Sequence, residues 1–199
     1  MRQSRNRGGN SDDELIRRFV ATFERLDKLI CNTSKPPPSE LLGGTDLDVD
    51  RLSRRPAAIM TGRVQLEPLY RRLPGPFPDL YEQLVLTYRW PEIDLQIVGL
   101  LSNPTGPTLS GLEDEIFRDR ILINTLIPAG FVPFGKATDM NYDPVCFDLN
   151  SMKRGDCPVV QFEHEAILCR AEIGESWRRT SSFRELIYDT IELAQSKSN

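Results

Sequence analysis

The chain has 199 residues and a mass of 22.7 kDa, with 39% hydrophobic and 27% charged side chains. That is an ordinary globular composition, long enough to bury a core without metal or disulfide staples. The net charge of −4 argues against a nucleic-acid groove as the main function, and no apolar run approaches the roughly 20 residues of a membrane helix.

Residues 1–10, with Arg2, Arg5 and Arg7 among Gly, Asn and Ser, read as a disordered tail. The N-terminal MRQSRNRGGNSDDE lacks the apolar centre of a secretory signal. The Asn32-Thr33-Ser34 sequon is therefore taken as a chance match. The pattern predicts an amphipathic helix over 11–31. Ser11 and Glu14 form its capping box, and Leu15, Phe19, Phe23, Leu26 and Ile30 form its apolar stripe. Residues 32–62, with Pro36-Pro37-Pro38 and Gly43-Gly44, read as a linker or irregular excursion. One such proline run is too short to specify a docking partner.

A short helix is expected from Val64 to Arg72, broken by Leu73-Pro74-Gly75-Pro76-Phe77-Pro78. A second follows with Leu80, Leu84 and Tyr88 on one side, Tyr81 and Val85 adjacent, and Pro91 as its stop. Residues 93–101 read as a strand. Ser110 and Glu113 suggest another capping box, opening a helix toward Asn124. Phe131 to Phe134 reads as a short strand.

The stretch YDPVCFDLNSMKRGDCPVVQFEHE, from Tyr142 to Glu165, predicts a hairpin. Pairing 149 with 158, 147 with 160 and 145 with 162 puts Val145, Phe147, Leu149, Val160 and Phe162 on one buried face. Cys146, Asp148, Gln161 and Glu163 then face outward. A further strand is expected near Ile167 to Ala171. Ser182 and Glu185 cap a final helix with Phe183, Leu186, Ile187, Thr190 and Ile191 on one side. Central strands with helices before and after give an α+β class.

Chemistry almost appears in several places. Gly130 to Lys136 fits GxxxxGK, but Ala137 stands where a P-loop needs Ser or Thr. A strand leading into a turn explains it better. His164, the only histidine, begins an HExxH pattern that fails at Leu168, so the usual zinc sites with two or three histidines cannot form. Asp143, Asp148, Glu163 and Glu165 offer oxygen ligands for a hard cation, although carboxylates on a hairpin's outer face serve solubility and edge protection more often. No GxSxG is present. Cys146 and Cys169 have no helix N-terminus to lower their pKa, and His164 reads as a strand-end residue bonded to a turn. The four cysteines lack CxxC spacing, which suits reduced thiols in a cytoplasmic protein.

The order and spacing of several elements resemble the SUKH superfamily, which includes fungal cell-wall synthesis regulators and bacterial immunity proteins. They run from Leu73-Pro74 through Trp90-Pro91, the stretch Leu126 to Phe131, Phe134-Gly135 and the stretch Tyr142 to Asp148. Glu163-His164-Glu165 and the stretch Ser182 to Leu186 complete the set. The resemblance implies a mainly antiparallel sheet packed by helices over 63–195, here with an extra N-terminal helix. It also implies binding of protein partners without catalysis, cofactor or metal. An immunity protein that neutralises a cognate toxin is the specific form expected. The acidic balance suits a partner with a basic face. Trp90, Glu92, Asp94, Asp139, Asp143 and Glu165, acidic groups with an aromatic, are the expected contact residues. The rivals are a regulatory scaffold unrelated to toxins and a metal-assisted hydrolase using His164, Asp148 and Glu163.

Overall fold

A computed structural model describes residues 9–26, 56–104, 106, 108–138, 142–174 and 176–197, without the side chains of residues 9, 10 and 24. The chain opens with helices α1 (Gly9–Val20) and α2 (Phe23–Leu26). Strand β1 (Ala57–Ala58) is followed by a 3-10 turn, Arg63–Leu66, that runs into α3 (Glu67–Tyr70). Helix α4 (Asp79–Thr87) leads into β2 (Tyr88–Arg89), which pairs with β1. Strands β3 (Ile93–Asp94) and β4 (Gly99–Leu100) precede helices α5 (Ser110–Ile116) and α6 (Arg120–Leu126). Then come β5 (Phe131–Lys136), β6 (Pro144–Asp148), β7 (Val159–Phe162), α7 (His164–Arg170), β8 (Ser176–Thr180) and α8 (Phe183–Ser196).

Strands β3 to β8 form one six-stranded sheet in chain order, every neighbouring pair antiparallel. The fold is thus α+β with a mainly antiparallel sheet. No described helix is long and apolar enough to cross a membrane.

Both faces of the sheet are buried. Val145, Phe147 and Val159 face the main core with α1, α4 and α8, while Cys146, Val160 and Phe162 face a smaller core closed by Leu126 of α6 and Ile167 of α7. This corrects the expected hairpin. The observed pairs are Val145 with Gln161, Cys146 with Val160 and Phe147 with Val159, one residue from the expected register. Leu149 leaves the strand for a 3-10 turn, Leu149–Ser151. A strand apolar on both sides carries no alternation to fix its register, and one residue of slip exchanges its faces. Val160 and Phe162 are buried as expected, but on the face opposite Val145 and Phe147.

Other expectations also change. Residues 167–171 are not a strand: Ala166 and Ile167 are buried in helix α7, which ends at Ala171 in a left-handed turn. The strand expected over 93–101 is two short strands turning at Gln96, whose amide donates to Asp94 Oδ1 at 2.6 Å. The helix expected from Ser110 breaks and restarts, because Asp119 Oδ1 accepts from the amides of Ile121 (2.9 Å) and Leu122 (3.1 Å). That is an N-cap in the middle of the expected span. Leu109 holds the cap position of α5, and Ser110 shares a side-chain hydrogen bond with Thr108 instead. Helix α1 starts at Gly9, so Ser11 lies inside it rather than at its cap. The expected continuation through Ile30 and most of 32–62 lie outside the described residues. The cap of α8 is as expected, with Ser182 Oγ accepting from the Glu185 amide at 3.0 Å.

The main core centres on aromatic rings. Phe134 and Phe147 stack at 4.0 Å, and Phe183 meets Tyr81, Phe134 and Phe147 edge-on at 5.4–5.7 Å. Such pairs add about 0.5–1.5 kcal/mol each beyond their buried area. The N-terminal stripe docks on this same core. Leu15, Phe19, Phe23 and Leu26 are buried, Phe19 lies 6.4 Å from Phe183, and Phe23 lies 6.2 Å from Trp90. Asp12 and Arg184 bridge the two helices at 2.9 Å.

Candidate functional site

Two places collect the polar residues that the sequence singles out. The first surrounds His164, at the start of α7. Its ring Nδ1 lies 2.8 Å from Asp143 Oδ1, and the same oxygen accepts the His164 backbone amide at 3.0 Å. Asp143 Oδ2 accepts from the Gln161 side-chain amide at 2.8 Å. Gln161 Oε1 in turn accepts from Arg179, which also donates to the Ile97 carbonyl at 2.8 Å. The chain of contacts ties the loop before β6 to β7, β8, the β3–β4 turn and α7. Burial opposes ionisation of Asp143, but the hydrogen bonds from the His164 amide, the His164 ring and Gln161 outweigh it and hold the carboxyl below its ordinary value.

The carboxylate partner of His164 is thus Asp143, not the expected Asp148 or Glu163. Asp148 instead accepts from the Asn150 amide at 3.2 Å, and Glu163 is exposed at the cap position of α7. Among the described residues, no group of three or more His, Cys, Asp or Glu is placed to hold a metal ion. Cys146 and Cys157 are buried thiols, which burial pushes up, Cys157 to about 12. Cys169 is exposed on α7. Gly130 to Lys136 is a glycine turn running into β5, and Lys136 Nζ pairs with Glu92.

The second place is a groove between helices α5–α6 and strands β4–β6. Its floor is apolar, from Leu101, Ile116, Leu122, Ile123, Pro133 and Pro144, and its volume is about 170 Å³. Glu92, Glu115, Asp119, Arg118 and Lys136 stand along it. A neighbouring hollow of about 290 Å³ continues past Asp94, Gly99 and Thr138. Glu92, Lys136 and Tyr142 line both. Tyr142 is 66% exposed, with φ at +56° and its ring 5.4 Å from Lys136 Nζ. Burial, and after it the charge of Glu92, pushes the Glu115 carboxyl up against the opposing pull of Arg118.

The structure divides the expected contact residues. Trp90 is 0% exposed, its indole N–H donates to the Leu101 carbonyl at 2.9 Å, and its backbone bridges to Asn103. Asp143 is 6% exposed and engaged as described. Neither side chain is offered to a partner; the pairing of acidic groups with an aromatic, on which both were expected as contacts, does not distinguish a surface residue from a buried one. Glu92 and Asp94 do stand together at the groove, whereas Glu165 lies exposed in the first turn of α7. Asp139 lies outside the described residues. Glu115, Lys136 and Tyr142, which the sequence does not mark as site residues, also line the groove. Nothing local marks them, since a helix–helix excursion of the chain brings them together. Gln161 joins Asp143 through the pairing of β6 with β7, and Arg179 reaches Gln161 through the pairing of β7 with β8.

Neither a scan against protein-family models nor a search among curated proteins finds a match to this sequence.

Proposed function

We propose that this chain is a SUKH-like domain that acts by binding a protein partner and catalyses nothing. Its specific role is that of a cytoplasmic immunity protein neutralising a toxin with a basic face. The observation that carries this reading is what the residues of the resemblance do. Trp90 fills the core beside Phe23. Gly130 makes a turn at φ +87° that another residue would enter only with strain. Gly135 lets β4 approach, since a Cβ there would sit 2.7 Å from the Gly99 carbonyl oxygen. Asp143 and Ser182 tie down the starts of α7 and α8. Such residues build a scaffold, and a scaffold recognises through its surface.

One observation favours a rival. The His164–Asp143 pair orients an imidazole as a general base requires. The test is affinity purification of the tagged chain from its native cells, then co-expression with the captured partner. One stoichiometric partner whose toxicity the chain relieves supports the immunity role. A partner without toxicity makes the chain a regulatory scaffold. Turnover of a substrate by the pure chain, lost in His164→Ala, overturns the non-enzymatic reading.

A further inference from the structure

Strand β8 stands at an edge of the six-stranded sheet. It pairs with β7, Trp177 opposite Gln161 and Arg178 opposite Val160, and among the described residues no strand lies on its other side. Ser176, Trp177, Arg178 and Arg179 are all exposed, Trp177 at 47%. Such an edge presents a row of backbone N–H and C=O groups that another strand can take up. Two side chains indicate what that strand carries. Trp177 and Arg178 are neighbours in a strand, so they point to opposite faces of the sheet. On one face Trp177 offers ring surface to water. On the other, Arg178 borders a hollow of about 290 Å³ that Lys153 also lines. Among the described residues neither cation has an ion-pair partner. The carboxylate of that hollow, Asp156, is already committed to the amides of Cys157 (2.8 Å), Phe183 (2.9 Å) and Arg184 (3.2 Å). Arg179 is held by Gln161 and the Ile97 carbonyl and adds nothing to this balance. Two cations thus stand at this end of the edge without a carboxylate partner.

We infer that the open side of β8 pairs with an extended segment of a partner protein, an acidic side chain of that segment meeting Arg178 and an apolar one covering Trp177. Backbone hydrogen bonds hold the segment, and the alternation of its side chains sets its register. The inference rests on the protein-binding reading and adds the place and the chemistry of one contact. It concerns the charge of one segment, which the overall charge of a partner does not fix. A second copy of this chain is the less fitting occupant, because pairing β8 with itself gathers Arg178 and Arg179 of both chains at one junction.

The test uses the full chain, isotope-labelled and followed by amide chemical shifts. Three capped peptides are titrated: Val-Glu-Val-Glu-Val, the same peptide N-methylated at every amide, and Val-Lys-Val-Lys-Val. The plain glutamate peptide is expected to shift Ser176, Trp177 and Arg178 in a saturable way, more weakly at high salt. The N-methylated peptide keeps the charge but cannot donate to the strand, and it is expected to shift none of them. The lysine peptide is expected to shift none either. Arg178→Glu should weaken the glutamate peptide roughly tenfold, while the melting temperature confirms that the variant folds. Shifts that map elsewhere or are absent, equal binding of the N-methylated or the lysine peptide, or undiminished binding by the folded variant each overturn the inference. A protein partner captured equally by native and variant chains also overturns it, and leaves the protein-binding reading standing. Shifts along β8 with the glutamate peptide, in a chain that captures no protein, overturn that reading and leave the strand edge.

Discussion

Asp143 sits between the loop before β6 and the first turn of α7, and its two oxygens accept from three donors. Replacing it with Asn keeps its shape but presents an amide to donors that need an acceptor. Asp143→Asn should cost about 1–3 kcal/mol, the usual penalty for buried polar groups left without partners, read from urea denaturation at neutral pH. The pH dependence follows from the direction of the shift. The folded carboxyl lies below its ordinary value, so its contribution is complete above the unfolded pKa, about 4, and is lost as pH falls through the folded value. The gap between native and variant stability should therefore close on acidification. A gap that stays constant down to pH ~2 argues that the carboxylate charge is not what holds the helix start. At the centre of the main core, Phe147 stacks on Phe134 and touches Phe77, Tyr81 and Phe183. Phe147→Ala should cost about 3–5 kcal/mol. A loss under 1 kcal/mol in the same denaturation would mean that this aromatic cluster repacks freely.

At the scale of elements, α1 and α2 bury Leu15, Ile16, Phe19, Phe23 and Leu26 against α4, α8 and Trp90. Burying each such side chain is worth about 1.5–3 kcal/mol. A chain that begins at residue 27 should therefore melt lower and self-associate on a sizing column, whereas removal of residues 1–8 should leave the melting temperature unchanged. A monomeric, equally stable truncation at 27 would show the helix to be dispensable. The apolar stripe was legible because one face is wet and the other dry, so Leu15, Phe19 and Phe23 recur at helical spacing, but the break between α1 and α2 in the single helix expected over 11–31 was not. The same contrast of faces holds for α4 and α8. The sheet was less legible for a definite reason. With both faces covered, Val145, Cys146 and Phe147 are all buried, and apolar pattern cannot choose a register. Helix α7 was missed because seven residues with two buried positions make too short a stripe. Strand β8 was missed because Ser176, Trp177, Arg178 and Arg179 are all exposed on a sheet edge, where charge serves as edge protection. Of the expected contact residues, Glu92 and Asp94 lie together at the groove. Their groove partners lie across the sheet and leave no local sign.

Over the whole molecule, the two cores grade the chemistry of the thiols. Cys146 and Cys157 are buried with their pKa pushed up, whereas Cys169 is exposed. In a Cys31→Ser background, a thiol reagent should label Cys169 within the dead time of mixing. Cys146 and Cys157 should react only through unfolding, so their rate should rise with denaturant. Equal labelling of all three in native buffer would mean that the sheet opens far more readily than its packing implies.

The position of Phe183 at the hub of the aromatic cluster has a consequence for biosynthesis. Tyr81, Phe134 and Phe147 all wait for a ring that lies beyond strand β8, and α1, made well before it, waits for the same helix. A nascent chain halted before α8 leaves the ribosome holds its sheet with part of the main face uncovered. Closure of the core therefore waits until α8 has been made. Until then the earliest and middle parts of the chain share one vulnerability to aggregation.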